Sequence, residues 1–95
     1  MKVITICGSL KFKDQMLQIS EQLTLEGTCV LTPVFSIAKS PLTEEELKNL
    51  KEAHFKRIEL SDAIYVVNVD NYIGTSTANE IEHAKELGKE IIYYV

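Results

Sequence analysis

The chain has 95 residues, of which 45% are hydrophobic and 25% charged, with a net charge of −4 at pH 7. These values are typical of one globular domain, here residues 1–95, and exclude a disordered or collagen-like chain. The acidic balance argues against a nucleic acid polymer or an anionic membrane as a partner. Backbone amides and one lysine can still hold a single phosphate group.

Three further features favour a cytoplasmic protein. No apolar run approaches the roughly 20 residues that a membrane-spanning helix needs. Segment 1–12 is interrupted by glycine and serine and has no small-residue cleavage site behind it, which predicts a first strand rather than a signal peptide. Cys7 and Cys29 both fall in apolar segments, as is typical of reduced thiols in a protein core.

Strand-like and helix-like periodicities alternate in the first part of the chain. Segment 2–7 is short, apolar and β-branched, which predicts a strand covered on both faces. Apolar residues then recur every three or four positions from Phe12, which predicts an amphipathic helix ended by Gly27. Segment 28–32 predicts a second strand, ended by Pro33.

The second part of the chain repeats this alternation. Thr43 and Glu46 form a capping-box pattern that opens a second helix. An apolar strand is predicted over 63–69, a third helix over 77–87 and a fourth strand over 90–95.

Strands that alternate with helices predict an α/β fold with a parallel sheet and right-handed crossovers. We expect a three-layer sandwich with four strands in the order 2-1-3-4, flavodoxin-like or Rossmann-like. In such sheets the ligand binds at the carboxyl ends of the strands, where the strand order reverses. That crevice is predicted between the first and third strands.

Two glycine- and hydroxyl-rich turns are predicted to meet at this crevice. Gly8, Ser9 and Lys11 follow the first strand, and Gly74 and Ser76 precede the third helix. Backbone amides, a helix N-terminus and a lysine together form a natural anion cradle. The alternative is structural, since hydroxyl residues in such turns also cap helices without any ligand.

Glu80 and His54 are the candidates for catalysis. Thr77 and Glu80 form a second capping-box pattern, so Glu80 could serve only as a helix cap. Alternatively, it lies beside the sheet-facing stripe of the third helix, where a carboxylate ionised by the helix dipole would point into the crevice. His54 lies on the apolar stripe of the second helix, as either a core histidine or a pocket residue.

Three residues at or just after the end of the third strand are candidates for contacting a ligand. Asn68 and Asp70 stand where side chains at the sheet edge often bind the polar edge of a ligand. Tyr72 could stack on a base or a sugar, or could cover the loop.

These residues resemble those of a known family. The segment Ile6-Cys7-Gly8-Ser9-Leu10-Lys11 is similar to the first loop of 2′-deoxynucleoside 5′-phosphate N-hydrolases. Ser61-Asp62-Ala63, and then Glu80-Ile81 through Ala84 to Leu87-Gly88-Lys89, resemble the pattern of the nucleoside 2-deoxyribosyltransferase-like family. The likeness extends over nearly the whole chain.

The resemblance implies a role for several residues. Glu80 matches the carboxylate that attacks C1′ of a deoxyriboside, and Ser9 and Lys11 match positions that bind a 5′-phosphate. His54 stands where the family has an aspartate, and could protonate the departing base. The resemblance implies no metal and no organic cofactor.

The leading hypothesis is therefore cleavage or transfer at the N-glycosidic bond of a small nucleoside or nucleoside 5′-monophosphate. A nucleotide-binding module without catalysis is the alternative, and an NAD-type glycohydrolase is a weaker one. Exposed edge strands also predict a homo-oligomer, formed through the second and third helices.

Overall fold

The computed structural model describes residues 1–95 and has four strands and three helices. The strands are β1 (Val3–Gly8), β2 (Cys29–Leu31), β3 (Ala63–Val67) and β4 (Glu90–Tyr93). The helices are α1 (Lys13–Leu25), α2 (Glu44–Leu60) and α3 (Thr75–Glu86), and single 3₁₀ turns occupy Leu10–Phe12 and Val69–Asn71. None of the helices has both the length and the apolar composition of a membrane span.

The sheet is entirely parallel, with the order β2-β1-β3-β4, which confirms the predicted topology. In the central pair, Ile4 lies opposite Ala63 and Gly8 lies opposite Val67. The carboxyl ends of β1 and β3 therefore finish side by side, where the strand order reverses.

Alternate residues of β1 enter two separate cores, one on each face of the sheet. Ile6 packs with Met16 and Ile19 of α1, whereas Cys7 packs with Ile58 of α2 and Ile81 of α3. The fold is thus a three-layer sandwich with α1 on one face and α2 and α3 on the other.

The predicted start of α2 and the predicted end of α1 are confirmed, and α3 is followed by a glycine in the same way as α1. The capping box of α2 is present, because the Glu46 amide donates to Thr43 Oγ1 and the Thr43 amide donates to Glu46 Oε1. Gly27 and Gly88 follow α1 and α3 with φ angles of 103° and 70°. This left-handed conformation is the one that favours glycine after a helix.

Two predictions from the sequence are wrong. Helix α3 begins at Thr75 rather than 77, with Gly74 as its N-cap, so the loop before it is shorter than expected. Cys29 is exposed rather than a core residue, because β2 is a three-residue edge strand that pairs only with β1. Cys7 is fully buried, and both cysteines are free thiols.

Candidate active site

A cleft of about 610 Å³ lies at the carboxyl ends of the parallel strands. Its walls come from the turn after β1, the segment after β2, one face of α2 and the first turns of α3. This is the crevice that the strand order predicts, and it gathers seven of the ten residues proposed from the sequence: Gly8, Ser9, His54, Tyr72, Gly74, Ser76 and Glu80.

Glu80 is a wall residue of this cleft and does not cap its helix. Because α3 begins at Thr75, Glu80 is the sixth helical residue and lies in the second turn. Thr77 is buried inside the helix and is not its N-cap, so the capping-box interpretation of this pair is wrong. The Glu80 side chain is 17% exposed, which leaves its carboxylate accessible from the cleft.

His54 and Cys7 lie directly beside the Glu80 carboxylate. His54 Nε2 is 3.5 Å from Glu80 Oε1 and 3.6 Å from Cys7 Sγ. The three donor atoms all lie within 4.8 Å of one another. His54 reaches this position from the buried face of α2, and Cys7 reaches it from the second-last residue position of strand β1.

The surroundings of this cluster fix the state of the thiol. Burial raises the pKa of Cys7 well above its usual value, and the nearby Glu80 charge raises it further. The thiol is therefore neutral at neutral pH and is not an activated nucleophile. His54 Nδ1 is buried without a hydrogen-bond partner, so the polar contacts of the ring are all on its Nε2 side.

Gly8 allows the β1 turn to pass very close to β3. A Cβ atom at this position would lie 3.0 Å from the Val67 carbonyl oxygen. Ser9 follows as the cap of the short 3₁₀ turn, with its hydroxyl accepting from the Lys11 amide at 3.4 Å. Ser9 both caps this turn and lines the cleft.

The N-terminus of α3 also lines the cleft and offers backbone amides that are unpaired within the helix. The first helical bond runs from the Ala78 amide to the Gly74 carbonyl, so the amides of Thr75, Ser76 and Thr77 have no partner within the helix. The N-cap is Gly74, which has no side chain, and Ser76 and Thr77 lie inside the helix. The structure therefore does not bear out capping by Ser76 or Thr77.

Three of the proposed residues do not line the cleft. Lys11 Nζ lies 3.4 Å above the ring centroid of Tyr72, which is itself a lining residue packed edge-to-face against Phe12. Asn68 is buried, and its side chain accepts from the Val95 amide and donates to the Val95 carbonyl. Asp70 has a φ of 54° in the turn after β3.

Two cationic residues and one thiol at the site were not predicted from the sequence to be there. Lys51 and Arg57 of α2 line the cleft, although neither was proposed from the sequence. Cys7 was expected in the core from its apolar segment and is buried there, yet its thiol also contacts His54 Nε2. Cys7 and His54 lie on the sides of β1 and α2 that face each other, and this was the one signal that could have linked the two residues.

Two solved structures share this fold. A 2-deoxyribosyltransferase from Leishmania mexicana aligns with a TM-score of 0.74 and 20% identity, over 99% of this chain and 64% of that one. A 2-deoxyribosyltransferase from Bacillus psychrosaccharolyticus aligns with a TM-score of 0.76 and 17% identity, over 96% of this chain and 70% of that one. This chain thus spans less than two thirds of the Leishmania enzyme.

No protein-family model and no curated protein sequence matches the chain. At these identities the two alignments establish a 2-deoxyribosyltransferase-like fold, as the resemblance in sequence predicted.

Proposed function

We propose that this protein cleaves or transfers the N-glycosidic bond of a nucleoside or nucleoside 5′-monophosphate, with Glu80 as the nucleophile. The observation that carries the proposal is the position of the Glu80 carboxylate, which lines the cleft and does not cap its helix. The fold shared with two 2-deoxyribosyltransferases supports the same class of substrate.

In the proposed reaction, a Glu80 oxygen forms a bond to C1′ while the bond from C1′ to the base nitrogen breaks. The electron pair of that bond leaves with the base, which takes up one proton from solvent, and a glycosyl ester remains on Glu80. Water in a hydrolase, or a second base in a transferase, then attacks C1′ and gives one proton to solvent, while the bond from C1′ to Glu80 breaks and frees the carboxylate. This double displacement follows the logic of a retaining glycosidase.

His54 is proposed to hold the Glu80 carboxylate in the attacking position. Its Nε2 is 3.5 Å from Oε1, on the side of the nucleophile. In a displacement at C1′ the base departs from the face opposite the nucleophile, so this contact favours a positioning role over protonation of the base.

The sugar 5′ end is proposed to bind between the two glycine turns. The Ser9 hydroxyl and the amides of residues 75–77 both offer hydrogen-bond donors along the cleft lining. A helix N-terminus favours an anion, which supports a 5′-phosphate at this end. Lys11 contributes positive charge from above the Tyr72 ring.

The test is to measure, by chromatography, the release of free base from a panel of deoxynucleosides and deoxynucleoside monophosphates. We expect release by the native protein and a loss of at least about a thousandfold with Glu80→Gln, since a covalent nucleophile is removed. Glu82→Gln is the matched control, because Glu82 is an exposed glutamate on the same helix. Equal activity of both variants would overturn the proposal.

The same panel separates the alternatives. Thermal stabilisation by a nucleotide without base release would identify a binding module, in which Glu80→Gln changes affinity only. Release of nicotinamide from NAD, without release from deoxynucleotides, would identify the NAD-type glycohydrolase.

Self-association through α2 and α3 is a further part of the proposal. Three exposed leucines belong to these helices or follow them directly: Leu47 lines the cleft, Leu60 ends α2 and Leu87 follows α3. Covering such side chains favours association. Sedimentation velocity at micromolar concentration should show a dimer or a larger species, and a single monomer peak would contradict this.

A further inference from the structure

The side chains of Cys7, His54 and Glu80 form a compact set of one sulfur, one nitrogen and one oxygen donor. Their donor atoms lie within 4.8 Å of one another. The proposed glycosidic reaction uses Glu80 directly and His54 through its contact, and it leaves the Cys7 thiol without a function.

The distances match those of a tetrahedral metal centre. With bonds of about 2.0–2.1 Å to nitrogen, 2.3 Å to sulfur and 2.0–2.2 Å to oxygen, tetrahedral angles separate neighbouring ligands by about 3.4–3.6 Å. The observed separations are 3.6 Å from Cys7 Sγ to His54 Nε2 and 3.5 Å from His54 Nε2 to Glu80 Oε1. The sulfur and carboxylate atoms lie within 4.8 Å of each other, and Glu80 is the most exposed of the three residues.

We propose that these three residues bind Zn²⁺ from the cleft and that the bound metal reversibly inhibits the protein. Thiolate and imidazole donors select zinc over the hard cations magnesium and calcium, which prefer oxygen ligands. His54 and Glu80 both line the cleft, so the ion has a direct path from solvent, and water can complete its coordination.

Binding requires the Cys7 thiol to lose its proton, which passes to the buffer, while a neutral His54 binds through Nε2. Each zinc ion therefore releases one proton from sulfur. The inhibitory effect rests on the proposed function, because a Glu80 carboxylate coordinated to zinc cannot attack C1′. The binding itself does not depend on that function.

The same environment indicates an exchangeable ion rather than a permanent structural one. Histidines at tightly held metal sites donate their second ring nitrogen to a carboxylate or carbonyl. His54 Nδ1 is buried without such a partner. Because that reinforcement is missing, a chelator such as EDTA should remove the metal from the folded protein.

Titration with Co²⁺, a spectroscopic substitute for zinc, tests the binding. We expect one ion per chain and a thiolate-to-cobalt charge-transfer band in the native protein, displaced by Zn²⁺. Cys7→Ser should abolish the band, and Cys29→Ser, which changes the exposed cysteine, should retain it. Absence of the band in the native protein, or its loss in Cys29→Ser instead, would overturn the site.

A second variant guards against misfolding at the buried Cys7 position. Glu80→Gln keeps the volume of a partly exposed side chain and should weaken Zn²⁺ binding by about 100-fold or more, beyond the 10- to 100-fold typical for loss of an outer partner. Unchanged zinc affinity in folded Glu80→Gln would refute its role as a ligand.

The inhibition has its own measurement. Base release by the native protein should fall as Zn²⁺ saturates the site and should recover with EDTA. Full activity at saturating zinc would overturn the inhibitory role while leaving the site intact. If the native protein releases no base under any condition, the glycosidic proposal fails and the cobalt titration still decides the metal site.

Discussion

Replacing Gly8 with alanine tests how closely the turn after β1 must approach β3. The added Cβ would lie 3.0 Å from the Val67 carbonyl oxygen and 3.3 Å from the Val67 Cβ. Neither atom belongs to a flexible chain end, and Val67 is itself buried in the core next to α1, so the strands would have to separate. Overpacking of this kind costs about 1–3 kcal/mol.

For a domain of this size, a loss of about 2 kcal/mol lowers the melting temperature by roughly 8–16 °C. Urea unfolding followed by circular dichroism measures the loss directly. Gly74→Ala is the matched control, because a Cβ there meets only the Tyr72 side chain, at 3.4 Å. Alanine lowers the conformational entropy of the unfolded chain, which is stabilising, but it is a poorer N-cap residue than glycine. These effects oppose each other, so we expect the free energy of unfolding to change by no more than about 0.5 kcal/mol. Equal stability of the two variants would refute the close approach at Gly8.

Three other variants or reagents test further contacts. Asn68→Ala removes both side-chain bonds to Val95 and should lower the free energy of unfolding by about 1–2 kcal/mol in urea; an unchanged midpoint would contradict this. Because burial raises the pKa of Cys7, iodoacetamide should label only exposed Cys29 in the native protein, with Cys7 reacting at strongly alkaline pH or after unfolding; mass spectrometry showing two labels at neutral pH would contradict this. His54→Asn should lower kcat about 100-fold with little change in KM, as a positioning role requires, whereas a rise in KM alone would assign it to substrate binding.

The strand and helix order could be predicted because the two periodicities are strong and alternate without interruption. Parallel strands joined by helices allow few topologies, and the order β2-β1-β3-β4 followed from those rules. The extent of β2 could not be predicted, because an edge strand is as long as its single partner allows and not as long as its apolar run. Cys29 lies on that edge, which is why an apolar context did not bury it.

The start of α3 was misplaced because hydroxyl residues favour caps and turns in an isolated chain. Here Gly74 is the cap, and Thr77 is drawn into the helix, where its side chain is buried. Tertiary burial therefore outweighed the local preference of threonine. Because the N-cap is Gly74 and not Thr77, a shift of three residues, Glu80 moves from the third helical position, where a carboxylate caps a helix, to the sixth, where it lines the cleft.

The contact between Cys7 and His54 could not be predicted from spacing, because 47 positions separate the two residues. It depends on which face of β1 each residue occupies and on the rotation of α2. Lys11 shows the converse case. Its position two residues after Ser9 suggested a phosphate contact. However, its ammonium group lies 3.4 Å from the centroid of the Tyr72 ring, and Lys11 does not line the cleft.

The place of Glu80 in α3 separates it from the strongest part of the helix dipole. The influence of a helix dipole falls off within the first turn, and Glu80 lies in the second, so the dipole expected to keep it ionised contributes little. Cys7 adds no charge, since burial and the nearby carboxylate raise its pKa. His54 Nε2, at 3.5 Å from Glu80 Oε1, is in direct polar contact with the carboxylate. The proposed attack on C1′ therefore depends on how the contact with His54 orients the Glu80 carboxylate, and not on the helix dipole.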